Sequence, residues 1–174
     1  SIDRKEKKVL VENLDSGVRQ ELPYDQLMLA TGAKPFDLPI PGVGLDGVFA
    51  IADLHKAIEI KKRIAQGKVS RAVVIGGGAI GIEMAEALTD LWGVETSLLE
   101  LAPQLLPRIV DRHFSDMLKK HLLDKGVAVY TRESATELLD NGSGKVCGVK
   151  TGQRTLEADL VIMAVGVRPR SELA

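Results

Sequence analysis

Short apolar runs alternate along the chain with stretches in which apolar residues recur every three or four positions, most regularly from residue 71 onward. Val73 to Ile75 is continuously apolar, the pattern of a strand buried on both faces. A helix is predicted over Ala79 to Leu91, with Ile80, Met84, Leu88 and Leu91 on one side and Glu83, Glu86 and Asp90 mostly elsewhere. Val94 to Leu99 is the next strand and ends at Glu100. Asp111 opens a second helix, carrying Phe114, Met117, Leu118, His121 and Leu122 at helical spacing. Lys125-Gly126 closes it with a cation and a glycine suited to left-handed backbone. Val127 to Tyr130 is a third strand. Ala135 to Leu139, Lys145 to Lys150 and Thr155 to Glu157 are separated by turn residues and read as an antiparallel meander. Asp159 to Val165 is a long apolar strand ending at Gly166. The order β-α-β-α-β, meander, β predicts an α/β fold with a Rossmann-like parallel sheet covered on both faces.

The earlier part is less regular. Val9 to Val11 and Arg19 to Leu22 flank Asp15-Ser16-Gly17 and predict a β-hairpin. Leu27 to Ala30, before Thr31-Gly32, reads as a buried strand. Lys34 to Gly47 holds three prolines and three glycines and reads as a connection without regular structure. Asp53 is the expected cap of a helix to about Gln66, with Leu54, Ala57, Ile58, Lys61 and Ile64 on one face and Gly67 as its stop.

Composition narrows the function classes. The 174 residues carry a net charge of −1, so no electrostatic footprint points to nucleic acid or an anionic membrane. No apolar run approaches the ~18 residues of a membrane span. The single cysteine, Cys147, excludes an internal disulfide, a CxxC pair and a Cys-rich metal site. Such usage suits a reducing, cytoplasmic compartment. Cys147 itself reads as a small packing residue in the meander. His55 and His121 read as packing or surface residues, and His113 lacks a partner at metal-ligand spacing.

The candidate chemistry sits at Gly76, Gly77, Gly78, Ala79, Ile80 and Gly81, between a strand and a helix. Gly76, Gly78 and Gly81 fill a G-x-G-x-x-G frame. Gly76 permits the tight turn, Gly78 lets a pyrophosphate approach the backbone, and Gly81 allows close helix–sheet packing. Gly77 is an extra glycine that the frame does not require. The free N–H groups of the following helix favour an anion. Glu100, at the end of the second strand, stands where a carboxylate accepts hydrogen bonds from a ribose. Its charge opposes a 2′-phosphate, so NAD(H) is expected over NADP(H), although Arg108 lies eight residues on.

The stretches LMLATGAKP (Leu27 to Pro35), VVIGGGAIGIEMAEAL (Val73 to Leu88) and DLVIMAVGVRP (Asp159 to Pro169) together resemble the pyridine nucleotide–disulfide oxidoreductase family of flavoproteins, as does the tract from Leu105 to Val127. Within the family the chain is similar to the NADH oxidase, NADH peroxidase and coenzyme A-disulfide reductase branch. The resemblance implies that residues 35–166 are an NAD(H)-binding domain. Residues 1–34 would be an overhang of an FAD domain and residues 167–174 a return crossing toward it. It implies Glu83 near the nicotinamide and flavin, Gly166 beside the nicotinamide, Thr31 and Gly32 at FAD, and an intact protein that is a homodimer. Ala79 departs from members that carry an aromatic there as a lid over the flavin. The FAD fingerprint and redox cysteine of the family do not occur in this sequence, so the chain reads as a central piece that is inactive alone. A non-catalytic NAD-responsive domain is the alternative. An S-adenosylmethionine methyltransferase also places glycines and an acid in this way, but Ala164 to Pro169 argues against it. The electron acceptor is not encoded in these residues.

Overall fold

The computed structural model of the chain describes residues 1–36, 38–51 and 54–173. They fall into two compact units, Ser1–Lys34 with Val167–Ala174, and Pro35–Gly166.

In the first unit, β1 (Ile2–Asp3), β2 (Lys8–Glu12) and β3 (Arg19–Pro23) form an antiparallel sheet in that order. The predicted hairpin is β2–β3, registered from Lys8 opposite Pro23 to Glu12 opposite Arg19. Its turn is held by Asn13 Oδ1, which accepts from the Asp15 and Ser16 amides, an arrangement typical of asparagine. β1 is an additional strand. A short β4 (Ala33–Pro35) follows. Leu27 to Ala30 is a correction, because it forms no strand and its side chains are exposed, Met28 to 88%. An apolar run becomes a doubly buried strand only where a sheet accepts its backbone hydrogen bonds. No described strand pairs with this one.

The second unit is built in chain order from β5 (Val48–Ala50), α1 (Leu54–Ala65), β6 (Arg71–Ile75), α2 (Ala79–Trp92), β7 (Glu95–Glu100), α3 (Arg112–Asp124), β8 (Ala128–Thr131), β9 (Ala135–Asp140), β10 (Val146–Thr151), β11 (Thr155–Glu157) and β12 (Leu160–Met163). Five strands make a parallel sheet in the order β5-β12-β6-β7-β8. The strand β13 (Val167–Pro169) belongs to the first unit and pairs with β4 in a two-stranded sheet. The predicted meander is β9, β10 and β11, an antiparallel sheet. β5 lies in the tract after Gly47 and was not expected.

Alternation along each strand divides the core in two. Ala72, Val74, Leu98, Leu160 and Ile162 point to the side covered by the helices, against Ile60, Ile82, Ala85, Leu88 and Leu122. Val73, Ile75, Leu99 and Val161 point to the side covered by the meander, against Ala135, Leu138, Val146, Val149 and Ala158. Both faces are therefore covered, which is what near-continuous apolar strands require.

The helices are turned in part relative to the sequence pattern: Ile64, Met84, Leu88, Leu118 and Leu122 pack on the core as expected, and other residues of the predicted faces do not. On α1 the buried residue is Ile60, while Leu54 and Ile58 are exposed; the expected cap Asp53 lies outside the described residues. On α2 the buried face is Gly81, Ile82, Ala85 and Leu88, with Ile80 and Leu91 exposed. On α3 it is Ser115 and Leu122, with Phe114 and Met117 exposed. His121 is half-exposed and reaches Glu86 at 3.2 Å, a surface position. The expected cap Asp111 does accept from the Phe114 amide. Cys147 is also a correction, since it is exposed. The register of β10 against β9 shifts between Val146 and Gly148, and this bulge turns Cys147 outward.

Candidate functional site

At the carboxyl ends of β6, β7 and β12 the second unit opens a cavity of about 550 Å³, within the range of small-molecule pockets. Ligands of open α/β sheets bind at this end of the strands. Ile75, Leu99, Ala164 and Val165 supply an apolar floor, Phe36 and Leu38 one wall, and Leu106 to Ile109 another. Gly76, Gly78, Glu100, Glu133, Ser134 and Gly166 add the polar and backbone surface.

The glycine loop is shaped by close approaches. Gly76 has φ +114°, and a Cβ there would collide with the Ala164 carbonyl. A Cβ on Gly81 would collide with the Gly76 carbonyl oxygen and stand 3.3 Å from Ala164 Cβ. Gly77, an extra glycine by the frame, is crowded by side chains as well. A Cβ there would lie 2.7 Å from Leu105 Cδ2 and 3.0 Å from Glu100 Cβ. Gly78 differs from all three: a Cβ would meet nothing within 4 Å, so its surface faces open space. It is also the N-cap of α2, and no side chain caps that end. The first amides of α2 are thus left to an external acceptor, and the helix dipole favours an anionic one.

Glu100 does two things at once. Its Oε2 accepts from the Gly77 amide and its Oε1 from the Ala102 amide, each at 2.6 Å. The carboxylate thereby fastens the glycine loop to the end of β7. An ionised carboxylate offers about four acceptor positions, so roughly two remain for hydroxyl groups of a ligand. Further bonds join the loop to its surroundings: the Gly76 amide donates to the Leu99 carbonyl at 2.8 Å, and the Leu106 amide to the Gly77 carbonyl at 2.9 Å.

Of the predicted site residues, the cavity brings together Gly76, Gly78, Glu100 and Gly166, the last at φ +99°. Gly77 and Gly81 shape it from behind. Ala79, Ile80 and Glu83, in the first turns of α2, are exposed and do not line it. Thr31 and Gly32 belong to the first unit, where the Thr31 hydroxyl donates to the Arg170 carbonyl and the Arg170 amide to the Gly32 carbonyl. Arg108 is exposed at the cavity. Sequence reasoning missed Glu133. Its signal is an acid just past the third strand of the β-α-β-α-β run, the counterpart of Glu100 on the second. Glu133 is 4% exposed, and its Oε1 accepts from the Thr151 hydroxyl at 2.6 Å and Arg154 Nε at 2.9 Å. Among the described residues no cluster of three potential metal ligands occurs, and no helix is long and apolar enough to cross a membrane.

A parallel sheet whose glycine turn and strand-end acid meet in one cavity defines a Rossmann-type α/β domain. The chain belongs to the pyridine nucleotide-disulphide oxidoreductase family, whose sequence profile matches residues 1–174. An NADH oxidase of Methanocaldococcus jannaschii is 38% identical over 173 residues, covering 99% of this chain and 38% of that protein. An NADH oxidase of Enterococcus faecalis is 36% identical over 168 residues, covering 97% of this chain and 37% of that protein. The crystal structure of an FAD-dependent pyridine nucleotide-disulphide oxidoreductase from Desulfovibrio vulgaris superposes with a TM-score of 0.82 at 43% identity. That match covers 99% of this chain and 43% of the other. The chain thus spans less than two fifths of the length of these curated relatives.

Proposed function

We propose that residues 35–166 form the NAD(H)-binding domain of an FAD-dependent oxidoreductase and present the nicotinamide for hydride transfer to the flavin. The observation that carries the reading is the pairing of open space over Gly78 with the uncapped amino end of α2. A pyrophosphate fits this donor set in charge and in shape. The adenosine ribose falls to the remaining acceptor positions of Glu100. Gly166, whose left-handed backbone lets the chain come close without a side chain, faces the nicotinamide. Ala79, Ile80 and Glu83, exposed on α2, face the flavin side. Residues 1–34 and 167–174, with Thr31 and Gly32, belong to the FAD-binding part of a homodimeric parent enzyme. The names of the relatives, NADH oxidases and an FAD-dependent oxidoreductase, support both cofactors. When bound, NADH supplies a hydride and FAD accepts it; this chain supplies binding, orientation and charge.

Titration of the folded chain with NADH tests the reading. Gly78→Val should weaken binding at least tenfold, about 1.4 kcal/mol, with the circular dichroism spectrum retained. Equal affinity of a folded variant would overturn the assignment.

A further inference from the structure

The dinucleotide reading accounts for the glycine loop, Glu100 and Gly166 but leaves Glu133 unused. This side chain is almost fully buried, yet it lines the cavity. Both of its hydrogen bonds, from Thr151 and Arg154, end on Oε1. Among the described residues Oε2 accepts none, although the carboxylate is held rigidly by these two donors. The Arg154 guanidinium is itself fixed, 4.3 Å above the centre of the Tyr130 ring. Oε2 is not among the fully buried polar atoms that lack a partner, so it keeps accessible surface at the edge of the cavity that Glu133 lines. A ligand that excludes water there must supply the donor itself.

Its position says which part of a ligand would do so. The glycine loop ends β6, Glu100 ends β7, and Glu133 follows β8, in three adjacent strands. The Glu133 amide donates to the Glu100 carbonyl at 3.0 Å, so the two acids are neighbours. Adjacent strands lie about 4.8 Å apart, which puts Glu133 roughly 10 Å across the sheet from the glycine loop. With a pyrophosphate at the loop and a ribose at Glu100, the base of the same nucleotide extends toward Glu133.

We infer that Glu133 is a specificity-determining residue that reads the base: its Oε2 accepts a hydrogen bond from the exocyclic 6-amino group of adenine. The inference rests on the dinucleotide reading above. Oε2 offers only acceptor positions, so a base without a donor at that place leaves it unsatisfied. Sites built to hydrogen-bond a ligand group discriminate strongly against analogues that lack it, for this reason.

The test compares NADH with its purine analogue, in which hydrogen replaces the 6-amino group. Both are titrated against the full chain and against Glu133→Gln. Gln keeps a carbonyl acceptor for Thr151 and Arg154 but turns an amide N–H₂ toward the base. The chain should bind NADH at least tenfold more tightly than the purine analogue. In Glu133→Gln that ratio should fall to within about twofold, through loss of NADH affinity alone. A residue with only a structural role would change both affinities together and leave the ratio intact. A ratio near one in the unaltered chain overturns the inference whatever the variant does, and so does an undiminished ratio in folded Glu133→Gln. In both cases NADH still binds and the dinucleotide reading stands. Absence of NADH binding altogether overturns both.

Discussion

At the residue scale, Glu100 carries more than the ribose contact expected of it. Its two oxygens fasten the backbone on either side of the site, and they still present a negative charge to the cavity. A 2′-phosphate on the ribose would meet that charge, so the chain should bind NADH more tightly than NADPH. Glu100→Ala should narrow the difference while weakening both, because the loop loses its fastening. Parallel titrations of the two cofactors check this; equal affinities in the unaltered chain would show that Glu100 does not set the preference. The frame residues Gly76 and Gly78 were legible in the sequence because their spacing is fixed by a local turn. The crowding at Gly77 was not, since it comes from the side chains of Leu105 and Glu100, which are remote in sequence. Glu133 was missed for the same reason: a lone acid in a loop has no meaning until Thr151 and Arg154 close on it.

At the element scale, the strands and helices from β6 onward were legible, and the faces of the helices only in part: Met84 and Leu88 on α2 and Leu118 and Leu122 on α3 do pack on the core. Periodicity selects the largest aliphatic side chains, such as Ile80 and Leu91 on α2. Packing kept Leu88 and partly Met84 but turned the face toward Gly81, because Gly81 must rest against the Gly76 carbonyl. Once Gly81 faces the sheet, Ile82, Ala85 and Leu88 follow it inward, and Leu91 is left 75% exposed. The same holds on α3, where buried Ser115 accepts from the Leu105 amide at 2.9 Å while Phe114 and Met117 stay outside. Gly81→Ala should therefore destabilise the fold by about 1–3 kcal/mol through overpacking. Urea denaturation of the two proteins measures it. An unchanged midpoint would mean that helix and loop separate freely. The run Leu27 to Ala30 failed in the opposite sense, since apolar character alone does not make a strand where no neighbouring strand offers hydrogen bonds.

At the scale of the whole molecule, the parallel sheet and the meander were legible from the order of elements; that the helices cover one face and the meander the other was not, since it depends on how the strands pack. The chain holds one cysteine and so cannot form an internal disulfide, and its described residues contain no metal-ligand cluster. On the proposed division of labour, the chain should bind NADH but not oxidise it by itself. The purified chain, assayed by NADH absorbance with oxygen, peroxide and disulfide acceptors, is expected to show no turnover above background unless a flavoprotein is added. It should also show no stoichiometric flavin absorbance. Turnover without added flavoprotein would mean that the division of labour proposed for this chain is wrong.

The loop around Gly77 is tied at several points, to Leu99, Glu100 and Leu106, by bonds that all run within the protein. A loop held in this way has already lost the conformational freedom that a flexible phosphate-binding loop surrenders only when its ligand arrives. Little of the binding energy is then absorbed by ordering the loop. Association should be a single docking event whose rate rises linearly with ligand concentration, with no slow closing phase behind it. The Gly77 amide proton, donated to Glu100 before any ligand is present, should exchange with solvent slowly in the free protein as well as in the complex.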